Sequence, residues 1–241
     1  MHKRIPIFAH RGASGYTIEN TMHAFNLAKE LGADGIEIDV QMTKDEEFIV
    51  FHDLNLSRLA GINKKISDCT LQEINHIRIG KRFWRLFKRE EIPSLKQVIE
   101  WANENQMPLN IELKESILKN TKPLIDVIQK LELPVGSHFS SFHNELMKVV
   151  KMQRPDFQTA FIISKKFNWV DLQTMTYIDV VHASKKYYKE QYINHCVEAN
   201  KNIRFYSIVG YEKFIKDPHP SVIGWITDYP NKVLKAQKMK K

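Results

Sequence analysis

Short apolar runs alternate with apolar residues at helical spacing along most of this chain. Strand-like runs begin near residues 5, 35, 48, 108, 137, 159, 177, 203 and 222. Ala24, Phe25, Ala28 and Leu31 mark one face of a helix opened by Asn20 or Thr21 and closed by Gly32. Ser94 caps a second helix with Val98, Ile99 and Ala102 inward, and helical patterns follow at 121–131, 143–152, 168–175 and 189–199. Strands alternating with helices imply a parallel sheet. Residues 43–47 are too few for a crossover helix, so 48–51 is expected to return beside 35–42 as a hairpin arm. The other eight strands, within 241 residues, predict an α/β fold of the (β/α)8 TIM-barrel type. An open doubly wound sheet is the alternative, but Gly12 and Gly15 alone make no glycine-rich phosphate loop after the first strand.

Residues 53–93 break the rhythm. Thr70-Leu-Gln-Glu73 reads as a capping box for a short helix over 71–77, and Gly80–Arg89 is dense in charge and aromatic rings. No linker-like composition bounds this span, so it is expected as an insertion after the His52 strand of one domain covering 1–241. Within it, Lys81–Arg89 has two readings. Either Phe83, Trp84, Leu86 and Phe87 pack the insertion onto the barrel, or they dip into an anionic lipid surface attracted by five cations.

Charge narrows the partners without choosing among them. Thirty-six basic against 28 acidic residues leave a formal +8, which favours anionic ligands. The basic residues are spread along the chain and form no nucleic-acid stripe, so no nucleic-acid partner is expected. Two cysteines, Cys69 and Cys196, are too few for a disulfide framework. No apolar run approaches the ~18 residues of a membrane span and no secretory leader is evident, so a cytoplasmic protein is expected.

Chemistry concentrates in Gly35–Val40. Strand alternation sends Glu37 and Asp39 to one face and Ile36, Ile38 and Val40 to the other. Two carboxylates about 7 Å apart on one face repel each other unless a cation lies between them. The apolar run before this strand ends in His10-Arg11-Gly12, and the run after it ends in His52-Asp53. Farther on, Asn110, Glu112 and Lys114 share one strand face. Histidines, carboxylates and cations delivered by successive strands suit metal-assisted chemistry on a phosphate.

These residues carry a resemblance. His10-Arg11-Gly12, Glu19-Asn20-Thr21, Glu37-x-Asp39, His52-Asp53, Ile92-Pro93-Ser94-Leu95, Ile111-Glu112-Leu113-Lys114 and Thr227-Asp228-Tyr229-Pro230 occur in the order found in the glycerophosphodiester phosphodiesterase family, across nearly the whole chain. The resemblance implies a (β/α)8 barrel that uses one divalent cation to hydrolyse glycerophosphodiesters to sn-glycerol 3-phosphate and an alcohol. It assigns the metal to Glu37, Asp39 and Glu112, acid–base catalysis to His10 and His52, and phosphate contacts to Arg11 and Lys114. Oxygen-only ligands suit Mg²⁺ or Ca²⁺. Where members commonly carry Trp-Thr-Val-Asn, this chain has Phe205-Tyr206-Ser207-Ile208-Val209, which bears on a substrate pocket at Phe205 and Tyr206 more than on catalysis.

The other histidines, His138 and His182 among them, are expected to be structural. Asp53 is either a partner of His52 or a surface turn acid, Glu19 is expected to orient the site residues or the helix start rather than bind metal, and Asp228 equally suits a turn before Pro230. Two other functions remain open: a lysophospholipase-D-like enzyme acting on lipid diesters, and a non-catalytic anion-binding module. An idle module would ordinarily have lost some of His10, His52, Glu37, Asp39 or Glu112.

Overall fold

The computed structural model describes residues 4–80 and 90–239. The element order, in sequence, is β1 (Ile7–His10), α1 (Met22–Glu30), β2 (Gly35–Met42), β3 (Phe48–Val50), α2 (Ser57–Ala60), α3 (Leu71–Asn75), β4 (Arg78–Ile79), β5 (Glu90–Glu91), α4 (Leu95–Glu104), β6 (Leu109–Leu113), α5 (Lys122–Ile128), β7 (His138–Ser141), α6 (Asn144–Gln153), β8 (Gln158–Ile162), β9 (Val180–Ser184), α7 (Glu190–Glu198), β10 (Asn202–Ile208), β11 (Val222–Thr227) and α8 (Pro230–Lys238). Among the described residues β1, β2 and β6 to β11 are parallel neighbours, and β1 pairs with both β2 and β11, so the sheet closes on itself. The result is the expected (β/α)8 barrel. β3 lies antiparallel to β2, as the short connection requires.

Local chemistry accounts for the helices around it. Thr21 accepts from the Ala24 backbone N–H and opens α1, whose Ala24, Phe25 and Ala28 are fully buried. Gly32 follows in the left-handed conformation (φ +80°) that stops a helix. Ser94 caps α4 through a capping box with Gln97, and Trp101 from α4 packs 5.8 Å from Phe25. Burying a ring such as Phe25 contributes about 1.5–3 kcal/mol by area alone.

Two stretches depart from the expected pattern. Residues 168–175 hold a 3-10 turn, Trp169–Thr174, because Trp169 is drawn onto Tyr192 (4.8 Å) and Tyr187 (5.3 Å). The strand expected from Tyr177 starts at Val180. The last helix, α8, has a lysine-rich outer face that hides its apolar side in the sequence. Pro230 at its first turn supplies the fixed φ that starts it.

The insertion has its own small core. Ile49, Phe51, Leu56, Leu59, Ile66, Cys69, Ile74, Ile79 and Ile92 form a cluster apart from the main core. α3 is opened by the expected Thr70–Glu73 capping box. The chain leaves and returns at one place: Val50 N–H donates to Pro93 O (2.9 Å) and Ile49 bridges Ser94. Lys81–Arg89, and with it the lipid-surface reading, lies outside the described residues.

Strand register fixes the site. His10 on β1 pairs with Glu37 on β2, and Asp39 on β2 pairs with Glu112 on β6. Paired residues on parallel strands point the same way about 4.8 Å apart. One acid on β2 therefore faces a histidine and the other faces a third acid.

Candidate active site

Glu37, Asp39 and Glu112 are 2%, 0% and 8% exposed and converge inside the barrel. Each offers a carboxylate oxygen within 4.8 Å of the others, the set that could hold a metal ion among the described residues. Their surroundings differ sharply. Burial, with Asp39 beside it, pushes Glu37 up to about 8. Asp39 goes the other way: burial opposes its charge, but Lys114 and Arg11 outweigh burial and hold its carboxyl well below the usual range. Lys114 Nζ lies 2.6 Å from Asp39 Oδ1 and also contacts Glu112. Glu112 is raised, chiefly by burial.

Arg11 reaches three acids. Its backbone N–H donates to Glu37 Oε2 (2.8 Å), its Nε lies 3.1 Å from Asp39 Oδ2, and its Nη1 donates to Glu19 (2.8 Å). Asn20, an expected cap, instead turns to φ +55° and donates to Asp39 Oδ2 (2.8 Å), leaving the cap to Thr21.

The two histidines have the same kind of support. His10 Nδ1 lies 2.7 Å from Asp228 Oδ1, which also accepts from Ser14 Oγ (2.9 Å). His52 Nδ1 lies 2.7 Å from Asp53 Oδ1. A carboxylate only accepts, so each Nδ1 carries its proton and Nε2 is left for chemistry. Enclosure in the site opposes the charged form of His10, but Glu37 and the Asp228 hydrogen bond outweigh it and raise its pKa.

A cavity of about 300 Å³ joins these groups. His10, Arg11, Glu37, His52, Glu112 and Lys114 line it. Its remaining wall includes Phe142, Ile162, Tyr206, Ser207 and Ile226. Tyr206 therefore stands where the sequence reading put a substrate pocket. Phe205 does not: strand alternation turns it outward, fully buried against Tyr188 (5.0 Å) and Trp225 (6.5 Å). Asp228 is not a simple turn acid but the partner of His10, and Asp53 is the partner of His52. His138 and His182 stack edge to face (5.4 Å) in the barrel interior, where burial and the neighbouring Arg204 hold both well below the ordinary histidine pKa. Both are held neutral, and His182 also borders the cavity.

The donor set fits a hard divalent cation. All three carboxylates supply oxygen, and Glu37 Oε1 is buried without a hydrogen-bond partner. A buried acceptor left unpaired is costly, and a cation at that point would satisfy it.

Known proteins resemble this chain along most of its length. The model of the glycerophosphoryl diester phosphodiesterase family matches residues 10–231. A glycerophosphodiester phosphodiesterase of Caldanaerobacter subterraneus is 36% identical over 159 residues, covering 65% of each chain, just short of two thirds of that relative's length. One from Bacillus altitudinis is 29% identical across 96% of this chain and 97% of its own. A phosphodiesterase of Oleispira antarctica, solved with its product sn-glycerol-3-phosphate, superposes with a TM-score of 0.81 at 25% identity over 97% of both chains.

Proposed function

The chain belongs to the glycerophosphoryl diester phosphodiesterase family, and from that premise we propose that it hydrolyses glycerophosphodiesters to sn-glycerol 3-phosphate and an alcohol. The observation that carries this reading is one cavity bordered by Glu37, Glu112, His10 and His52, with Asp39 buried beside them.

Glu37, Asp39 and Glu112 would hold the cation, Mg²⁺ or Ca²⁺. When bound it supplies positive charge against the phosphodiester oxygens and so favours the charge that develops there during attack. Arg11 and Lys114, both lining the cavity, bind the same phosphate, one as a planar fork and the other as a point charge. Of His10 and His52, one removes a proton from the attacking hydroxyl through Nε2 while the other gives its proton to the departing alkoxide. Asp228 and Asp53 hold the rings in the tautomer that this exchange requires. Ile162, Ile226, Phe142 and Tyr206 offer the departing alcohol an apolar wall.

The experiment is release of glycerol 3-phosphate from a panel of soluble glycerophosphodiesters and lysophospholipids, with and without chelator. Turnover abolished by chelation and restored by Mg²⁺ or Ca²⁺ is expected. Full turnover in excess chelator after removal of bound metal would sink the metal assignment, and no product from any diester would sink the activity. Preference for the lysophospholipids would move the reading to the lipid substrates. No helix of the described residues is long and apolar enough to cross a membrane.

A further inference from the structure

Arg58 belongs to the insertion, on the four-residue helix α2, and is remote in sequence from every group in the cavity except His52. All three of its guanidinium nitrogens are engaged. Nη1 and Nη2 donate to the two oxygens of Glu19 (2.9 and 2.6 Å), and Nε lies 2.5 Å from Asp53 Oδ2. Each acid reaches onward into the site. Glu19 Oε1 accepts from Arg11 Nη1 (2.8 Å), and Asp53 Oδ1 holds His52 Nδ1 (2.7 Å).

We propose that Arg58 is a positioning residue that sets Arg11 and His52 together, through Glu19 on one side and Asp53 on the other. This rests on the phosphodiesterase reading for its kinetic consequences, though not for its geometry. A planar fork matches a carboxylate in two places at once and leaves Nε for a third contact, which a lysine cannot do. Glu19 is shared by two arginines. Burial opposes its charge, but the Arg58 hydrogen bond and the Arg11 charge outweigh it and keep the carboxyl below its ordinary range. It remains an acceptor for Arg11 throughout the working pH range. Asp53 without Arg58 would still touch His52, but one of its oxygens would be free to swing, and the ring would follow.

As a stability element the same contact counts for little. The Arg58 side chain is 46% exposed, and exposed ion pairs contribute little to folding. A structural role and a positioning role therefore separate by experiment. R58Q and R58K are compared with wild type for kcat and KM on glycerophosphodiesters, for thermal melting, and for the ring ¹⁵N signals of His52 and His10 at a pH where imidazole is neutral. Expected are a fall in kcat and a rise in KM, each about tenfold, the low end for lost supporting contacts, with melting nearly unchanged. His52 should shift from a single tautomer toward a mixture in both variants while His10, held by Asp228, stays as it was. D53N should add little to R58Q, because both break one chain of contacts. An unchanged His52 signal, or kinetics within about twofold of wild type, overturns the proposal. Should R58Q fail to fold, R58K is read by the same criteria. Should wild type hydrolyse none of the diesters, the activity reading fails while the His52 signal still decides this one.

Discussion

Glu37 and Asp39 stand two residues apart on one buried face of β2, yet their carboxyl groups are pushed in opposite directions. Burial, with the charge of Asp39 beside it, lifts Glu37 to about 8, whereas Lys114 and Arg11 outweigh burial at Asp39 and keep it ionised. The metal-free site is thus one charged acid, one acid that holds its proton near neutrality, and a third, Glu112, leaning the same way as Glu37.

Cation affinity should follow that proton. The folded value of Glu37 lies above its ordinary 4.5, so its proton stabilises the metal-free fold below that pH in full, and the contribution is lost as pH rises through about 8. A cation needs the carboxylate. Affinity for Mg²⁺ or Ca²⁺ should therefore rise by up to about tenfold per pH unit toward pH 8 and then level off. Calorimetric titrations across that range measure it. A flat profile, or the same slope in Glu37→Gln, would remove Glu37 from the ligand set.

The histidine pair makes a kinetic prediction. His10→Ala and His52→Ala should each lower kcat by at least about 10²-fold, the low end for general acid–base groups. The double variant should lose much less than the product of the two. Near-wild-type kcat in either single variant excludes that residue from proton transfer.

Lys114 should matter for folding as well as for phosphate. It neutralises Asp39 and contacts Glu112, and its side chain is 14% exposed. Lys114→Met leaves these acids with one cation fewer, a change that costs about 3 kcal/mol or more for a buried pair. Urea unfolding of the metal-free protein reads the loss. Asp39's depressed value sets the sign: its stabilisation is present above the ordinary 3.8 and lost as pH falls through the folded value, so the deficit should shrink in strong acid. Equal midpoints for variant and wild type would show that Arg11 and Asn20 suffice.

Gly12 is required by shape. It adopts φ +78°, and a Cβ there would lie 2.7–2.8 Å from Ala24, backbone atoms included. Gly12→Ala should destabilise the protein by about 1–3 kcal/mol and displace the neighbouring Arg11. A melting curve indistinguishable from wild type would refute this.

The barrel, the hairpin and the inward pairing of Glu37 with Asp39 were legible because each follows from local periodicity. Tyr206 facing the cavity and Phe205 facing the coat also follow from strand alternation, although both sit in the stretch that suggests a pocket. Asp228 was harder. Its contact with His10 spans 218 positions and exists only because β11 closes against β1, so a turn before Pro230 was an equally good reading. Between Asn20 and Thr21 the sequence offers two caps alike; Thr21 takes the role because Asn20 turns to positive φ and donates to Asp39. Arg58 carried no signal, since its two partners lie on separate loops brought together by the insertion.

The meeting of Pro93 with β3 has a consequence for the chain's history and its engineering. Because the insertion leaves and re-enters at one point, added length at an exposed turn stretches no barrel strand, and doubling a flexible loop there costs only about 0.6 kcal/mol in closure entropy. Exposed residues 61–63 are the place for such changes, since Leu59, Ile66, Cys69 and Ile74 fill the insertion's own core and the Cys69 carbonyl accepts from the Lys44 N–H. A segment grafted there should fold onto the same scaffold so long as it fills the space over Phe51; a guanidinium where Arg58 now stands serves the site rather than the fold.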